Sequence, residues 1–272
     1  MSAQTPSKRL TTRDISAMRQ RGEAIAMLTA YDATMASLVE SAGVDMILIG
    51  DSLGNVVLGH ETTLPVTLDD MIRHASAVKR GSRRALLVCD MPFGSVTDPQ
   101  IAVQNAVRVM KETGVEAVKI EGGLAVVPMV EMLVAQGIAV MAHIGLMPQS
   151  VHQMGGYYMH GKDEASAARL RAEAKALEAA GAFAIVLECV TPALAADITR
   201  ALTIPTIGIG SGKDCAGQVL VVNDLIGLSV TPPPSFAKPR ADVAAIIRAA
   251  VGDYVADTKA ERQPIPMPRR AE

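Results

Sequence analysis

Ionisable side chains lie at or near the ends of five consecutive apolar segments of this chain, and their types indicate acid–base and cation chemistry. They are Asp51, Asp90, Lys119, Glu121, His143 and Glu188. In a parallel α/β barrel the carboxyl ends of the strands lie on one face of the molecule, where catalytic side chains collect. Lys119 and Glu121 are two residues apart, so on a strand both side chains point to the same side. We therefore predict that these residues share one site.

The predicted site favours a hard cation. Several carboxylates that converge without cysteine or paired histidine ligands are typical of Mg²⁺ sites. The five histidines show no HExxH or comparable spacing, which argues against zinc. Glu188 lies inside the apolar segment VLECV, where a buried carboxylate must be either satisfied by a partner or useful to the protein.

Each of these residues also has an ordinary structural interpretation. Asp51 and Asp90 could be turn formers or helix N-caps after a strand. Lys119 and Glu121 could form a structural ion pair, and His143 could be a hydrogen-bonded core histidine. The occurrence of such residues after five successive segments favours a shared site over these separate interpretations.

The segments that end in or near the ionisable residues are otherwise apolar nearly throughout, which is typical of strands buried on both faces of a parallel sheet. They cover residues 24–30, 45–50, 85–90, 116–121, 138–144, 183–188, 204–210 and 218–228. Helix-length segments separate most of them, at residues 33–43, 67–81, 98–114 and 166–181. Eight units in 272 residues predict a (β/α)₈ TIM barrel, with a doubly wound open sheet as the alternative. The connection between the last two segments is short.

Further segments lie outside the repeating units. Residues 11–22 predict an extra N-terminal helix, which could close the bottom of the barrel, and residues 241–251 predict another helix near the end. We expect residues 1–272 to form a single domain, with a loose tail from about residue 261 to 272.

Two loops are candidates for ligand binding. The GIGSG stretch at 208–212 follows the seventh segment, where barrels of this kind often bind phosphate, although a tight turn is an equal interpretation. The segment from Gly145 to Gly161 is long enough for a lid or binding loop. Its Met and Tyr side chains could cover the apolar tail of a substrate.

Composition excludes several classes of protein. Apolar residues make up 49% of the chain and charged residues 20%, which supports a large core and argues against disorder. A net charge of -2, 3% aromatic residues and no Trp argue against nucleic-acid binding. No segment has the length of a membrane span or the apolar character of a secretory signal. Three cysteines without CxxC spacing fit reduced thiols in a cytoplasmic protein.

Long motifs of the chain resemble the 3-methyl-2-oxobutanoate (ketopantoate) hydroxymethyltransferase family. The matching stretches are LTAYDATMASLVESAGVDMILIGDSLGNVVLGHETTLPVTLDDMIRH at 28–74, CDMPFGS at 89–95, VKIEGG at 118–123, AHIGLMPQSVHQMGGY at 142–157, VLECV at 186–190 and IPTIGIGSGKDCAGQVLVVNDLIGL at 204–228. They cover most of the chain. GDSLGN with its downstream HETTLPVTLDDM is long and specific, so a chance match is very improbable.

The resemblance implies a barrel enzyme of pantothenate biosynthesis. Its reaction would transfer a hydroxymethyl group from 5,10-methylenetetrahydrofolate to 3-methyl-2-oxobutanoate and give 2-dehydropantoate. By position in the matching motifs, Asp51, Asp90 and Glu121 would bind Mg²⁺. Asp51 and Asp90, together with Ser52 and Lys119, would also bind the oxo acid. Glu188 would be the catalytic base, with His143 in a supporting position. The family also implies a large homo-oligomer, typically a decamer.

The chain departs from the family pattern at four positions, which are Asn55, Ser211, Ala216 and Asn223. These departures concern loop packing and folate contacts rather than the chemistry. Two other functions stay open at this point. One is a Mg²⁺-dependent lyase or mutase of the phosphoenolpyruvate mutase and isocitrate lyase type, although no KKCG-like motif supports it. The other is a non-catalytic metabolite-binding barrel, against which the presence of Glu188 argues.

Overall fold

The computed structural model describes residues 8–260 and contains eight parallel strands that close into a barrel. Each strand pairs with its neighbours in sequence, and β8 pairs with β1 to complete the ring. The strands are β1 Ile25–Thr29, β2 Met46–Ile49, β3 Leu86–Asp90, β4 Ala117–Glu121, β5 Ala139–Gly145, β6 Ala184–Glu188, β7 Thr206–Ile209 and β8 Gly217–Leu220. The predicted barrel is confirmed, and the open sheet is wrong because an open sheet would leave two strands without a neighbour on one side.

The inside of the barrel is filled with apolar side chains. They come from alternate positions of the strands and include Met27, Met46, Leu48, Leu86, Val88, Met141, Val186, Ile207 and Val219. All residues of β2 and β3 are buried. Their other side chains are covered from outside by helices, which explains why these segments do not alternate between apolar and polar residues.

Helices surround the barrel and occupy most of the connections between strands. They are α1 Thr12–Arg21, α2 Ala33–Ser41, α3 Leu53–Val56, α4 Leu68–Gly81, α5 Pro99–Thr113, α6 Val127–Ala135, α7 Val151–Met154, α8 Glu164–Ala179 and α9 Pro192–Ala201. Two further helices follow β8 along the chain, α10 Val222–Ile226 and α11 Val243–Ala260. Local sequence sets their ends. Thr67 and Asp70 form a capping box that starts α4, and Gly114 ends α5 in the left-handed conformation.

The extra N-terminal helix lies beneath the barrel, as predicted. Thr11 and Asp14 form a capping box at the start of α1. Ile15 is fully buried in the same apolar cluster as the interior strand residues, and Leu10 and Met18 pack against that cluster. Helix α1 therefore closes the bottom of the barrel, opposite the face where the strands end.

The eighth apolar segment is only partly a strand. The expectation of a strand over 218–228 is wrong, because β8 ends at Leu220 and the chain continues as helix α10. Val222 N donates a hydrogen bond of 2.9 Å to Thr29 Oγ1, at the end of the neighbouring β1. Apolar residues at the end of a short strand and at the start of a short helix form one continuous apolar run, so periodicity could not separate them.

The chain forms two compact units, one up to Val222 and one from Asn223 onward. The first holds the whole barrel. The second holds α11, which begins two residues later than the predicted helix and extends to Ala260. The prediction of one domain over 1–272 therefore stays a prediction, and the tail predicted at 261–272 lies outside the described residues. Within residues 8–260, no helix is both long and apolar enough to cross a membrane.

Candidate active site

A cavity of about 100 Å³ opens at the face of the barrel where the strands end. It brings together all the ionisable and hydroxyl side chains that the sequence singled out. These residues are Asp51, Ser52, Asp90, Lys119, Glu121, His143 and Glu188. Asp51 and Ser52 follow β2, while the others lie at or near the ends of β3 to β6. The strands therefore position the cluster, as the sequence predicted.

The register of the sheet places these residues side by side. Asp90 of β3 lies opposite Lys119 of β4, and Glu121 of β4 lies opposite His143 of β5. Lys119 Nζ is 2.8 Å from Asp90 Oδ1, 3.3 Å from His143 Nδ1 and 3.8 Å from Glu121 Oε1. One ammonium therefore lies at the centre of the cluster, with its side chain 5% exposed.

The ammonium of Lys119 is held in its charged form. Burial would lower the pKa of Lys119, but the surrounding carboxylates, with Asp90 contributing most, raise it above its ordinary value. Lys119 is therefore a permanent donor, which suits a group that recognises an anionic substrate.

The protein compensates the negative charge of ionised Asp51 and Asp90 only in part. Asp51 N donates to Asp90 Oδ2 at 3.0 Å, so the two residues are adjacent. Burial, followed by the charges of Asp90 and Glu121, raises the pKa of Asp51 well above its usual value. Burial also raises the pKa of Asp90, although Lys119 opposes that change. A further positive charge at this place would stabilise both carboxylates.

The donor set fits a hard divalent cation that keeps part of its hydration shell. Within residues 8–260, no three His, Cys, Asp or Glu side chains converge closely enough to chelate an ion by themselves. Mg²⁺ is commonly bound through one or two carboxylates, with water and substrate oxygens completing its coordination. Asp51 and Asp90 offer this kind of incomplete oxygen site.

His143 connects the cation side of the cavity with Glu188. Its Nδ1 is 3.5 Å from Glu121 Oε1, and its Nε2 is 3.3 Å from Glu188 Oε2. Burial and the Lys119 charge would lower the pKa of His143, but the two carboxylates outweigh them and raise it to about 9. At neutral pH the imidazole is therefore protonated and bridges Glu121 and Glu188.

The interpretation of Asp51 and Asp90 as helix N-caps fails. Ser52, not Asp51, occupies the N-cap position of α3, and Asp98, not Asp90, caps α5. The closest carboxylate to Lys119 is that of Asp90 rather than Glu121.

Two further residues reach the site without having been predicted. Tyr31 lies two residues after the end of β1, and its OH is 2.8 Å from Ser52 Oγ. It therefore supports the Ser52 hydroxyl that was predicted to bind the substrate. Gln149 Nε2 donates to Asp51 Oδ2 at 2.8 Å. The position of Tyr31 after an apolar segment was a usable signal, whereas Gln149 lies in a long loop whose path the sequence does not define.

The backbone that carries Glu188 is shaped by the GIGSG turn. Cys189 has a φ of 49°, a left-handed conformation that is uncommon for a residue other than glycine. Ser211, which is buried, accepts a hydrogen bond from Val190 N at 2.9 Å and donates one to Leu187 O at 2.7 Å. The Ser211 hydroxyl therefore bridges the two sides of Glu188 and Cys189. These contacts favour the tight-turn interpretation over phosphate binding.

Removing this hydroxyl tests the role of the turn. We expect Ser211→Ala to lower the free energy of unfolding by about 1–3 kcal/mol, because Val190 N would be left buried without an acceptor. Denaturant unfolding of the wild type, Ser211→Ala and Ser211→Thr would measure it, with Thr able to keep the hydroxyl. An unfolding free energy for Ser211→Ala within about 0.5 kcal/mol of the wild type would contradict this account, because surface substitutions change stability that little.

The long loop predicted to be a lid is fastened at both ends to the end of β6. Leu146 N donates to Glu188 O at 2.8 Å, and His160 N donates to Cys189 O at 2.7 Å. Between these ends the loop contains the single helical turn of α7. Tyr157 and Tyr158 are exposed on it, so aromatic side chains are available above the face that holds the site.

The four positions where the sequence analysis noted a departure from the family pattern are not among the residues that line the cavity. Asn55 Nδ2 donates to His60 O at 3.0 Å, and Ala216 N donates to Thr206 Oγ1 at 3.2 Å. Within the C-terminal unit, Asn223 Nδ2 donates to Leu228 O at 3.3 Å. Ser211 acts on the backbone near Glu188. These positions affect loop and backbone packing rather than the ionisable cluster.

An eight-stranded barrel whose strand ends deliver carboxylates, an ammonium and an imidazole to one cavity is typical of an enzyme that acts on a small molecule. The sequence profile described as ketopantoate hydroxymethyltransferase matches residues 9–266. The chain therefore belongs to the ketopantoate hydroxymethyltransferase family, and it is an enzyme that transfers a hydroxymethyl group.

Relatives agree with this assignment, and a solved structure shares the fold. A 3-methyl-2-oxobutanoate hydroxymethyltransferase of Anaeromyxobacter sp. (strain Fw109-5) is 52% identical over 265 residues, which are 95% of this chain and 87% of that protein. One of Magnetococcus marinus (strain ATCC BAA-1437 / JCM 17883 / MC-1) is 50% identical over 260 residues, 95% of this chain and 97% of that protein. A crystal structure of 2,3-dimethylmalate lyase, a PEP mutase/isocitrate lyase superfamily member, has a TM-score of 0.59 at 17% identity, and the match covers 96% of this chain and 92% of that one. That likeness shows the fold alone.

Proposed function

We propose that this enzyme transfers the one-carbon unit of 5,10-methylenetetrahydrofolate to C3 of 3-methyl-2-oxobutanoate in a Mg²⁺-dependent reaction that forms 2-dehydropantoate. The observation that carries the proposal is the buried cluster of Asp51, Asp90 and Lys119, which combines an incomplete cation site with a permanent ammonium. The relatives named above support the substrate, because each shares about half of its residues with this chain.

In this proposal the acidic residues hold the cation and Lys119 and Ser52 hold the oxo acid. Asp51 and Asp90 supply carboxylate ligands, and Glu121 lies beside them. When bound, Mg²⁺ would supply Lewis-acid stabilisation of the enolate charge, a contribution of several kcal/mol. Lys119 neutralises the substrate carboxylate, and Ser52, supported by Tyr31, donates a hydrogen bond to it.

Glu188 is proposed as the general base that removes the C3 proton. Its side chain is 15% exposed, so it faces the cavity while remaining shielded from bulk water. Nε2 of His143 lies 3.3 Å from Glu188 Oε2 and orients the Glu188 carboxylate. The carbanion-like C3 then attacks the methylene carbon of the folate, which approaches from the open side of the cavity. The two carbon–nitrogen bonds of that methylene group break, and water supplies the hydroxyl group of 2-dehydropantoate. The folate nitrogens take up the C3 proton and the remaining proton of the water, and tetrahydrofolate leaves.

Isotope exchange at C3 tests the proposal without the transfer step. With Mg²⁺ and 3-methyl-2-oxobutanoate in D₂O, we expect the enzyme to exchange the C3 proton even when folate is omitted. EDTA should abolish the exchange, added Mg²⁺ should restore it, and Zn²⁺ should be no better. Proton NMR of the C3 position measures the rate. Undiminished exchange by rigorously metal-free enzyme would rule out the proposed cation dependence.

The exchange assay, together with product analysis in the presence of folate, separates the two alternative functions. A lyase or mutase of the isocitrate lyase type would cleave or rearrange an oxo acid instead of adding a one-carbon unit, so product analysis with folate present distinguishes it. A non-catalytic binding barrel would bind the oxo acid without any C3 exchange. The likeness to 2,3-dimethylmalate lyase concerns the fold, so it does not favour the first alternative.

We also propose that the enzyme works as a large homo-oligomer, a decamer in the family pattern. Helix α11 exposes large apolar side chains, among them Ile246 at 65% and Tyr254 at 70% exposure, which supports burial against another chain. We expect light scattering to give a mass far above the 28.5 kDa of one chain. A monomer at micromolar concentration would contradict the assembly.

The cytoplasmic location stays a prediction.

A further inference from the structure

Gln149 connects the long loop after β5 with three other strand ends. Its Nε2 donates to Asp51 Oδ2 at 2.8 Å and to Met91 O at 3.0 Å. Its backbone N donates to Glu121 Oε2 at 3.1 Å. Two of these partners are carboxylates of the proposed cation site, and the third is the carbonyl next to Asp90. No other described residue of the loop is recorded with hydrogen bonds to both Asp51 and Glu121.

These bonds orient the carboxylates that a cation would need. Asp51 is buried next to two other acids, so repulsion would turn its carboxylate away from them if nothing held it. A carboxylate oxygen has more than one lone pair, so Asp51 Oδ2 can accept from Gln149 and still ligate a cation.

We propose that Gln149 is a positioning residue for the cation site and that, through Gln149, binding of the cation stabilises the loop over residues 146–160. The proposal rests on the cation site of the proposed function. The loop is fastened to the end of β6 through Leu146 and His160, and Gln149 fastens it to the ends of β2, β3 and β4. A cation that holds the carboxylates of Asp51 and Glu121 in place also holds Gln149, because Gln149 donates a hydrogen bond to each of them. The coupling is reciprocal, so loss of Gln149 weakens cation binding.

Binding of Mn²⁺, a paramagnetic substitute for Mg²⁺, measures this effect directly. Electron paramagnetic resonance of free Mn²⁺ would be titrated with the full-length wild type, Gln149→Ala and Gln153→Ala. We expect Gln149→Ala to bind Mn²⁺ roughly 10–100-fold more weakly, the usual cost of removing a partner that orients a metal ligand. Gln153 is exposed in the same loop, so Gln153→Ala should bind like the wild type.

Two further measurements separate positioning from a general loss of structure. Mn²⁺ should protect residues 151–159 from proteolysis in the wild type and protect them less in Gln149→Ala. Saturating Mg²⁺ should restore most of the turnover of Gln149→Ala, so the defect would lie in the Mg²⁺ concentration needed rather than in kcat. Circular dichroism should show the same helix content in all three proteins.

The outcomes distinguish this inference from the proposed function. If the wild type binds Mn²⁺ and Asp51→Asn weakens that binding, the cation site stands. Equal or tighter binding by Gln149→Ala would then overturn the role of Gln149 alone. If the wild type does not bind Mn²⁺, or if Asp51→Asn binds it as the wild type does, the cation site and this inference are both overturned.

Discussion

Replacing Glu188 with Gln is expected to lower the rate of C3 proton exchange by roughly 10²–10⁴-fold, the usual contribution of a positioned general base. The amide keeps the shape of the side chain but cannot accept the proton. Binding of Mg²⁺ and of the oxo acid should survive, because Glu188 holds neither in the proposed arrangement. Exchange of C3 deuterium at saturating Mg²⁺ and oxo acid measures the change.

The control for this variant is Glu112→Gln, which makes the same chemical change on the surface of α5. Its exchange rate should equal that of the wild type. If Glu188→Gln exchanges at the wild-type rate, another group is the base. His143 would then be the first candidate, because it lies near the end of the neighbouring strand with Nε2 3.3 Å from Glu188. It could act as the base only after losing the proton that it holds at neutral pH, and the Gln variant removes one of the two carboxylates that raise its pKa.

Replacing Asp51 with Asn is expected to separate cation binding from stability. The variant loses a carboxylate ligand, so Mg²⁺ affinity should fall by at least about 100-fold, beyond the usual cost of losing only an orienting partner. Exchange at C3 should recover in part at high Mg²⁺. Titration calorimetry with Mg²⁺ measures the affinity.

The stability of the same variant should change in the opposite direction. The pKa of Asp51 is raised in the folded chain, so ionisation of Asp51 destabilises the fold. The stability that protonated Asp51 contributes to the fold is fully present below the pKa of an unfolded aspartate. It is lost as the pH rises through the raised pKa of Asp51 in the folded chain. Asn cannot ionise, so without Mg²⁺ the Asp51→Asn protein should be at least as stable as the wild type at neutral pH.

Thermal unfolding in EDTA and in Mg²⁺ checks this expectation. Mg²⁺ should raise the melting temperature of the wild type more than that of Asp51→Asn, because a ligand stabilises the state that binds it. Asp98→Asn is the control, since Asn is as good an N-cap as Asp and the residue lies outside the cavity. A lower melting temperature for Asp51→Asn in EDTA would mean that Asp51 is a structural residue.

The barrel and the membership of its site could be predicted because both depend on local sequence patterns. Continuous apolar segments separated by capped helices require a parallel sheet covered on both faces, and a residue that follows such a segment must lie at its carboxyl end. Asp51, Asp90 and Glu188 therefore reached the predicted face without any knowledge of long-range contacts. The N-terminal helix was predictable for the same reason, since its capping residues Thr11 and Gly22 directly flank it in the sequence.

The tertiary structure alone decided which groups are partners. The register between β3 and β4 brings Lys119 to Asp90 rather than to Glu121, although Glu121 is only two residues away in sequence. The protonated state of His143 depends on carboxylates from two neighbouring strands. The contacts of Gln149 join residues 98 positions apart along the chain. Distances between such pairs depend on strand register and loop path, which result from packing of the whole barrel. By contrast, a few consecutive residues are enough to identify a strand and the residue at its end.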